Sequence, residues 1–179
     1  MLKKIVIVVL LLIAVPLVVI LALATTQPDT FRVQRATAIK APPEKIFPFI
    51  NDFHAWEAWS PYEKKDPGMK RTLSGAATGK GAIYEWDGDS NVGAGRMEIT
   101  GSSPSSKVAL NLDMIKPLTA HNVVEFTLEP EGDATTVTWS MKGDAPYFAK
   151  VIHVFFDMDS MVGTDFEAGL ANLKALAEK

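Results

Sequence analysis

The stretch from Pro146 to Lys179, PYFAKVIHVFFDMDSMVGTDFEAGLANLKALAEK, decides the fold. Pro146 stands where the first turn of a helix tolerates proline, and no proline follows it. Phe148, Ile152, Phe155, Val162, Phe166, Leu170 and Leu173 are spaced by threes, fours and their sum. This spacing predicts one apolar face on a helix of about eight turns, where about three is usual. Gly163 and Gly169 are its weak points, and a bend is expected near Gly163, because glycine costs about 1 kcal/mol in a helix interior. Asp159 falls inside the stripe, between Phe155 and Val162. An unpaired carboxylate is expensive to bury. Asp159 is therefore either a partly exposed group with a local salt bridge or a polar anchor inside a ligand cavity.

A stripe this long needs a broad apolar surface, and the middle of the chain offers one. Phe31, Val33 and Ile39 alternate with Arg32, Gln34 and Lys40, as in a half-buried strand. Further period-two rows are Tyr84 and Trp86; Met97 and Ile99; Val108 to Met114; Val124 to Leu128; and Val137 to Met141. Turn signals separate them, from Gly75–Gly81 through Lys116-Pro117 to Glu131-Gly132-Asp133. Between the first strand and these rows, Ala41-Pro42-Pro43-Glu44 opens a short helix kinked or ended at Pro48. Trp56 and Trp59 then lie one helical turn apart, and Ser60-Pro61 is expected to end that turn.

The expected fold class is therefore α+β, an antiparallel sheet of short strands with helices over one face. Tyr84, Trp86, Met97, Met114, Trp139 and Met141 would line that face opposite Phe155, Val162 and Phe166. Aromatics and methionines suit an adaptable cavity, and they suit a filled core equally well. Trp56, Trp59 and Tyr62 carry the same ambiguity. They either plug one end of the fold or rim a pocket facing an apolar ligand or the bilayer interface.

Upstream of all this, Ile5 to Ala24 is an apolar run of twenty residues, interrupted by Pro16 but by no charge. Its length matches a hydrocarbon core of about 30 Å. Lys3 and Lys4 in front of it favour a cytoplasmic N-terminus and a domain on the extracytoplasmic side. A cleaved signal peptide competes with the retained single-pass anchor, because Ala22-Leu23-Ala24 has the small-x-small form of a cleavage site. Residues 1–27 are thus anchor and linker, and 28–179 form the working domain. Thr25 to Thr30 leaves a tether of roughly 20 Å, so an anchored domain sits close to the membrane.

Chemistry is sparse. A net charge of −3 without a basic patch argues against nucleic acid as a partner. The absence of cysteine excludes disulfides, thiolate metal sites and a cysteine nucleophile. His54, His121 and His153 lack metal-ligand spacing, and no metal or cofactor is expected. The glycine-rich stretch Gly75–Gly81 is one residue short of a P-loop and lacks its final hydroxyl residue. The G-x-S-x-G elbow of serine hydrolases does not occur. For acid–base work Asp159 is the best candidate by position, followed by Arg71, Glu57 and His121 near strand ends.

Several stretches together resemble the SRPBCC proteins of the polyketide cyclase/dehydrase type, relatives of START lipid-transfer domains and the birch pollen allergen. They are Ala41-Pro42-Pro43-Glu44-Lys45-Ile46-Phe47, Trp56-x-x-Trp59-Ser60-Pro61, Gly95-Arg96-Met97-Glu98-Ile99, Thr138-Trp139-Ser140-Met141 and Asp165-Phe166-Glu167-x-Gly169-Leu170. The resemblance implies a helix-grip fold, in which a seven-stranded antiparallel sheet wraps a long C-terminal helix around a hydrophobic pocket. It implies no shared catalytic motif, because the family spans carriers, receptors, cyclases and chaperone activators. The leading expectation is a membrane-anchored module that binds a hydrophobic small molecule or lipid. An acid–base cyclase/dehydrase and a ligand-free protein-interaction module are the alternatives.

Overall fold

A computed structural model describes residues 2–179; Met1 and the side chains of Leu2, Val6, Val8, Val9 and His153 lie outside it. The chain runs as helix α1 (Leu2–Thr26), strand β1 (Thr30–Ile39), helix α2 (Pro43–Asn51), a 3-10 turn (Phe53–Ala58) and helix α3 (Pro61–Lys65). Six strands follow: β2 (Lys70–Gly75), β3 (Ala82–Asp87), β4 (Ala94–Ser103), β5 (Lys107–Lys116), β6 (Ala120–Glu131) and β7 (Ala134–Asp144). Helices α4 (Tyr147–His153) and α5 (Met158–Ala177) close the chain.

All seven strands form one antiparallel sheet in the order β1-β7-β6-β5-β4-β3-β2. The period-two rows did select the inner face: Val108, Leu110, Val124, Phe126, Leu128, Val137 and Trp139 are all buried. Two register shifts in β4, at Ala94/Gly95 and Ile99/Gly101, bend that strand and help curve the sheet. Strand β2 lies at the edge and is exposed along its length, which is why it carried no alternation to read. Pro61 does not merely end a turn. It opens α3, where a first-turn proline is well tolerated.

The curved sheet grips α5, whose Phe166, Leu170, Leu173 and Ala177 are buried at steps of four, three and four. Each large apolar side chain so buried contributes about 1.5–3 kcal/mol. The C-terminal helix is not the single eight-turn element that its periodicity suggested. It breaks between Val154 and Asp157, where Asp157 turns extended and caps α5, its carboxylate accepting the Asp159 N–H at 3.0 Å and the Ser160 hydroxyl. Gly163 marks no break; α5 runs through it. A Cβ there would come within 2.0 Å of Arg35 Nη2, so glycine is what lets the Arg35 side chain pass α5. Gly169 serves similarly, since a Cβ would stand 2.7 Å from the Trp139 ring and 3.0 Å from Pro61.

Helix α1 is long and apolar enough to cross a membrane, and its described side chains are exposed except for Ile20 and Ala24. Its C-terminal end lies against α4, where the Tyr147 hydroxyl donates to the Leu21 carbonyl at 2.9 Å. Just beyond, the Lys150 ammonium pairs with Asp29.

Candidate ligand-binding site

At the end of the sheet nearest α2 and α3, the interior is filled. Trp139 stacks on Phe166 with ring centroids 4.0 Å apart and planes 10° from parallel. Trp59 meets Trp139 edge-on at 5.6 Å, and Trp56 meets Trp59 at 5.0 Å. Trp56 and Trp59 donate their indole N–H groups to the carbonyls of Ile50 and Phe49, at 3.0 and 2.9 Å. The W-x-x-W-S-P stretch is thus a plug: the 3-10 turn brings the two indoles side by side, and Pro61 packs against Gly169 of α5. Trp139 Nε1 is buried without a hydrogen-bond partner among the described residues. Tyr62 is half-buried beside Lys65, whose ammonium lies 5.4 Å from the ring centroid. Burial, and after it the Asp165 carboxylate, pushes the Tyr62 hydroxyl above its ordinary pKa.

Further along the inner face, Tyr84 is buried and donates to Glu63 Oε1 at 2.6 Å. Arg71 Nε stands 2.7 Å from Glu63 Oε2, an ion pair without good hydrogen-bond alignment. Glu57 remains exposed, 3.9 Å from Arg71 Nη1. Desolvation raises the Tyr84 pKa first, and the Glu63 hydrogen bond and charge raise it further. Sequence reasoning named Arg71 and Glu57 but missed Glu63. The only local signal was an acidic residue in the first turn after Pro61. Trp86 lies across Gly95, where a Cβ would meet its ring at 2.4 Å, and it donates to the Val92 carbonyl at 3.1 Å. Met97, Met114 and Val162 are half-buried and Met141 is buried. His121 stands apart on the surface, paired with Asp113 at 2.7 Å.

The substantial open cavity lies at the other end of the grip. It measures about 540 Å³ and is walled on one side by Gln27–Pro28 and Thr30–Val33, on the other by Val154–Asp159. The break between α4 and α5 makes it, because a continuous helix would carry those residues through the space in a straight line. Of the predicted lining set, Phe155 and Asp159 reach this cavity. Trp56, Trp59, Trp139 and Phe166 instead fill the core.

The charged groups at the cavity are engaged. Asp159 accepts from Arg35 Nη1 and Nη2, both at 3.0 Å, and Arg35 Nε also donates to Glu167 at 2.6 Å. Those hydrogen bonds push the Arg35 pKa further up, so the guanidinium stays charged. Asp157 is held below the usual carboxylate range, chiefly by the Ser160 hydroxyl. Arg32 donates to Gln34 Oε1 at 2.7 Å. A second depression, of about 120 Å³ beside Phe53 and the β2–β3 turn, is below the roughly 300 Å³ typical of small-molecule sites.

The family profile described as "Polyketide cyclase / dehydrase and lipid transport" matches residues 30–178. No protein of curated function matches the chain. Among solved structures, protein CV1439 from Chromobacterium violaceum aligns with a TM-score of 0.59 at 18% identity, over 86% of this chain and 99% of that one. The Aha1 dimer from Colwellia psychrerythraea aligns at 0.59 and 18%, over 83% and 96%. The di-domain ARO/CYC BexL from the BE-7585A biosynthetic pathway aligns at 0.61 and 15%, over 88% of this chain and 53% of that one. At such identities the likeness is one of fold, and it is the helix-grip fold. The profile match spans more than half of the sequence, and the chain belongs to the polyketide cyclase/dehydrase and lipid transport family.

Proposed function

We propose that this protein is a membrane-anchored binding module, which holds a hydrophobic small molecule or lipid in the cavity between the start of β1 and the α4–α5 joint. The observation that carries the reading is the cavity itself. Its volume of about 540 Å³ falls in the range of small-molecule sites, and Phe31, Val33, Val154, Phe155, Phe156 and Met158 give it apolar walls. It opens beside the end of α1, whose length and composition suit a membrane span and whose leading lysines favour a domain on the extracytoplasmic side.

Binding is favoured over acid–base catalysis at this cavity because its carboxylates already have duties. Asp157 caps α5, and Asp159 is clamped by Arg35. The full chain in detergent, analysed by native mass spectrometry with organic extraction of what copurifies, tests the proposal. A discrete hydrophobic adduct is expected; a clean apo mass, unshifted by added lipids, would sink it. Asp159→Asn then separates carrier from cyclase. A carrier changes only in affinity or stability, whereas an enzyme using Asp159 keeps its ligand and loses turnover.

A further inference from the structure

Outside α1, eight large apolar side chains among the described residues are more than a third exposed, and seven of them cluster at one end of the molecule. Tyr147 and Phe148 stand on α4, Phe155 and Phe156 in the joint, and Met161 in the first turn of α5. Ile115 and Leu118 flank the β5–β6 connection. The sheet register puts that connection at the same end: Met114 faces Ala120, and Asn122 faces Gly143, which faces Phe31 at the start of β1. The eighth, Leu73, lies on the edge strand β2.

This is also the end from which α1 departs, and the two are joined at a telling height. Tyr147 bonds the carbonyl of Leu21, not a residue of the polar linker. Leu21 lies three residues inside the apolar run that ends at Ala24, about 4–5 Å along the helix axis. If α1 crosses the bilayer, α4 therefore meets it at or below the level where hydrocarbon gives way to headgroups. Tyrosine and tryptophan concentrate at that level, and phenylalanine lines the apolar face of helices that lie in it.

Resting on the reading of α1 as a membrane span, we infer that α4 and the Phe155–Phe156 joint are seated in the lipid interface. The mouth of the 540 Å³ cavity then faces the bilayer rather than water. The partner is a lipid surface, recognised by apolar insertion and not by charge. Among the described residues the ionic groups here are internally paired (Lys150 with Asp29, Arg35 with Asp159, Lys116 with Asp87), and no basic cluster accompanies the aromatics. Phosphatidylcholine alone is a sufficient partner, and raised salt leaves the docking intact.

The chain contains no cysteine, so single cysteines report cleanly. Phe155→Cys, Phe156→Cys, Leu12→Cys in α1 and Asp133→Cys at the far β6–β7 turn are made in the full chain. Each is labelled with an environment-sensitive fluorophore and reconstituted in phosphatidylcholine vesicles. Phe155 and Phe156 are exposed, so neither substitution removes core packing. The labels at 155 and 156 should emit at shorter wavelength than the label at 133. They should be quenched by lipids carrying a nitroxide near the headgroup, while iodide in the water quenches only position 133. The Leu12 label should respond to a nitroxide deep in the acyl chains. Iodide quenching at 155 and 156 equal to that at 133, with Leu12 still lipid-quenched, overturns the docking and leaves the anchor standing. Positions 155 and 156 shielded from both quenchers would mean that protein covers the patch, which also overturns it. A Leu12 label untouched by lipid overturns the anchor and the docking with it.

Discussion

Glu63 is the one buried carboxylate among the described residues, set between the buried Tyr84 and the exposed Arg71. Glu63 is 7% exposed, and its two carboxylate oxygens face Tyr84 and Arg71 respectively. Removing the phenol hydroxyl leaves one oxygen of a buried carboxylate without its donor, which costs about 1–3 kcal/mol. Tyr84→Phe is therefore expected to unfold at lower urea concentration at neutral pH. The pH profile follows from the raised Tyr84 pKa. The folded state prefers the neutral phenol, so its contribution is complete below the unfolded value near 10 and is lost as pH rises beyond it. Urea titrations at pH 8 and pH 11 check this: the gap between wild type and Tyr84→Phe should narrow at the higher pH. A gap that widens there would contradict the assignment.

At the scale of elements, the decisive feature is a four-residue interruption. Phe148, Ile152 and Phe155 share a helical period with Val162, Phe166 and Leu170, yet they serve different surfaces. The first set belongs to α4 and the joint, with Phe148 and Phe155 exposed; Phe166 and Leu170 are buried under the sheet. Asp157 separates the sets by capping α5, and its lowered pKa ties that cap to ionisation. A depressed carboxylate contributes its stability above the unfolded pKa near 4 and loses it as pH falls. Asp157→Ala should therefore melt below wild type at pH 7, and the two melting curves should draw together as the pH falls below the ordinary carboxylate range. Equal melting at pH 7 would show that the cap is dispensable and that the break has another cause.

For the whole molecule, the main core cluster runs from Val33 on β1 to Ala177 on α5 and includes no described side chain of α1. Sheet and C-terminal helix should therefore unfold together, independently of α1. A chain shortened to Pro28–Lys179 is expected to keep its far-ultraviolet circular dichroism and a single cooperative transition. Its Tm should lie within about 4 °C of the full chain, the upper end of the shift that roughly 1 kcal/mol produces in a domain of this size. Loss of the cooperative transition would mean that α1 is structurally part of the domain, through Tyr147 and Lys150, rather than only its tether.

Periodicity settled much of this in advance. Alternation along the strands and the spacing of Phe166, Leu170 and Leu173 were readable because burial on one face imposes a local period on the chain. Twenty apolar residues before a short linker were readable for the same reason: the requirement of a membrane span is one of length and composition. Tertiary structure alone decided what each face meets. Arg35 reaches Asp159 across 124 positions, and Glu63 finds Tyr84 across 21, so no window along the chain contains either pair. Period likewise reports that a face is apolar without reporting what covers it. That is why the tryptophans, read equally as cavity wall or filled core, prove to be the core, while the cavity opens where the helix breaks.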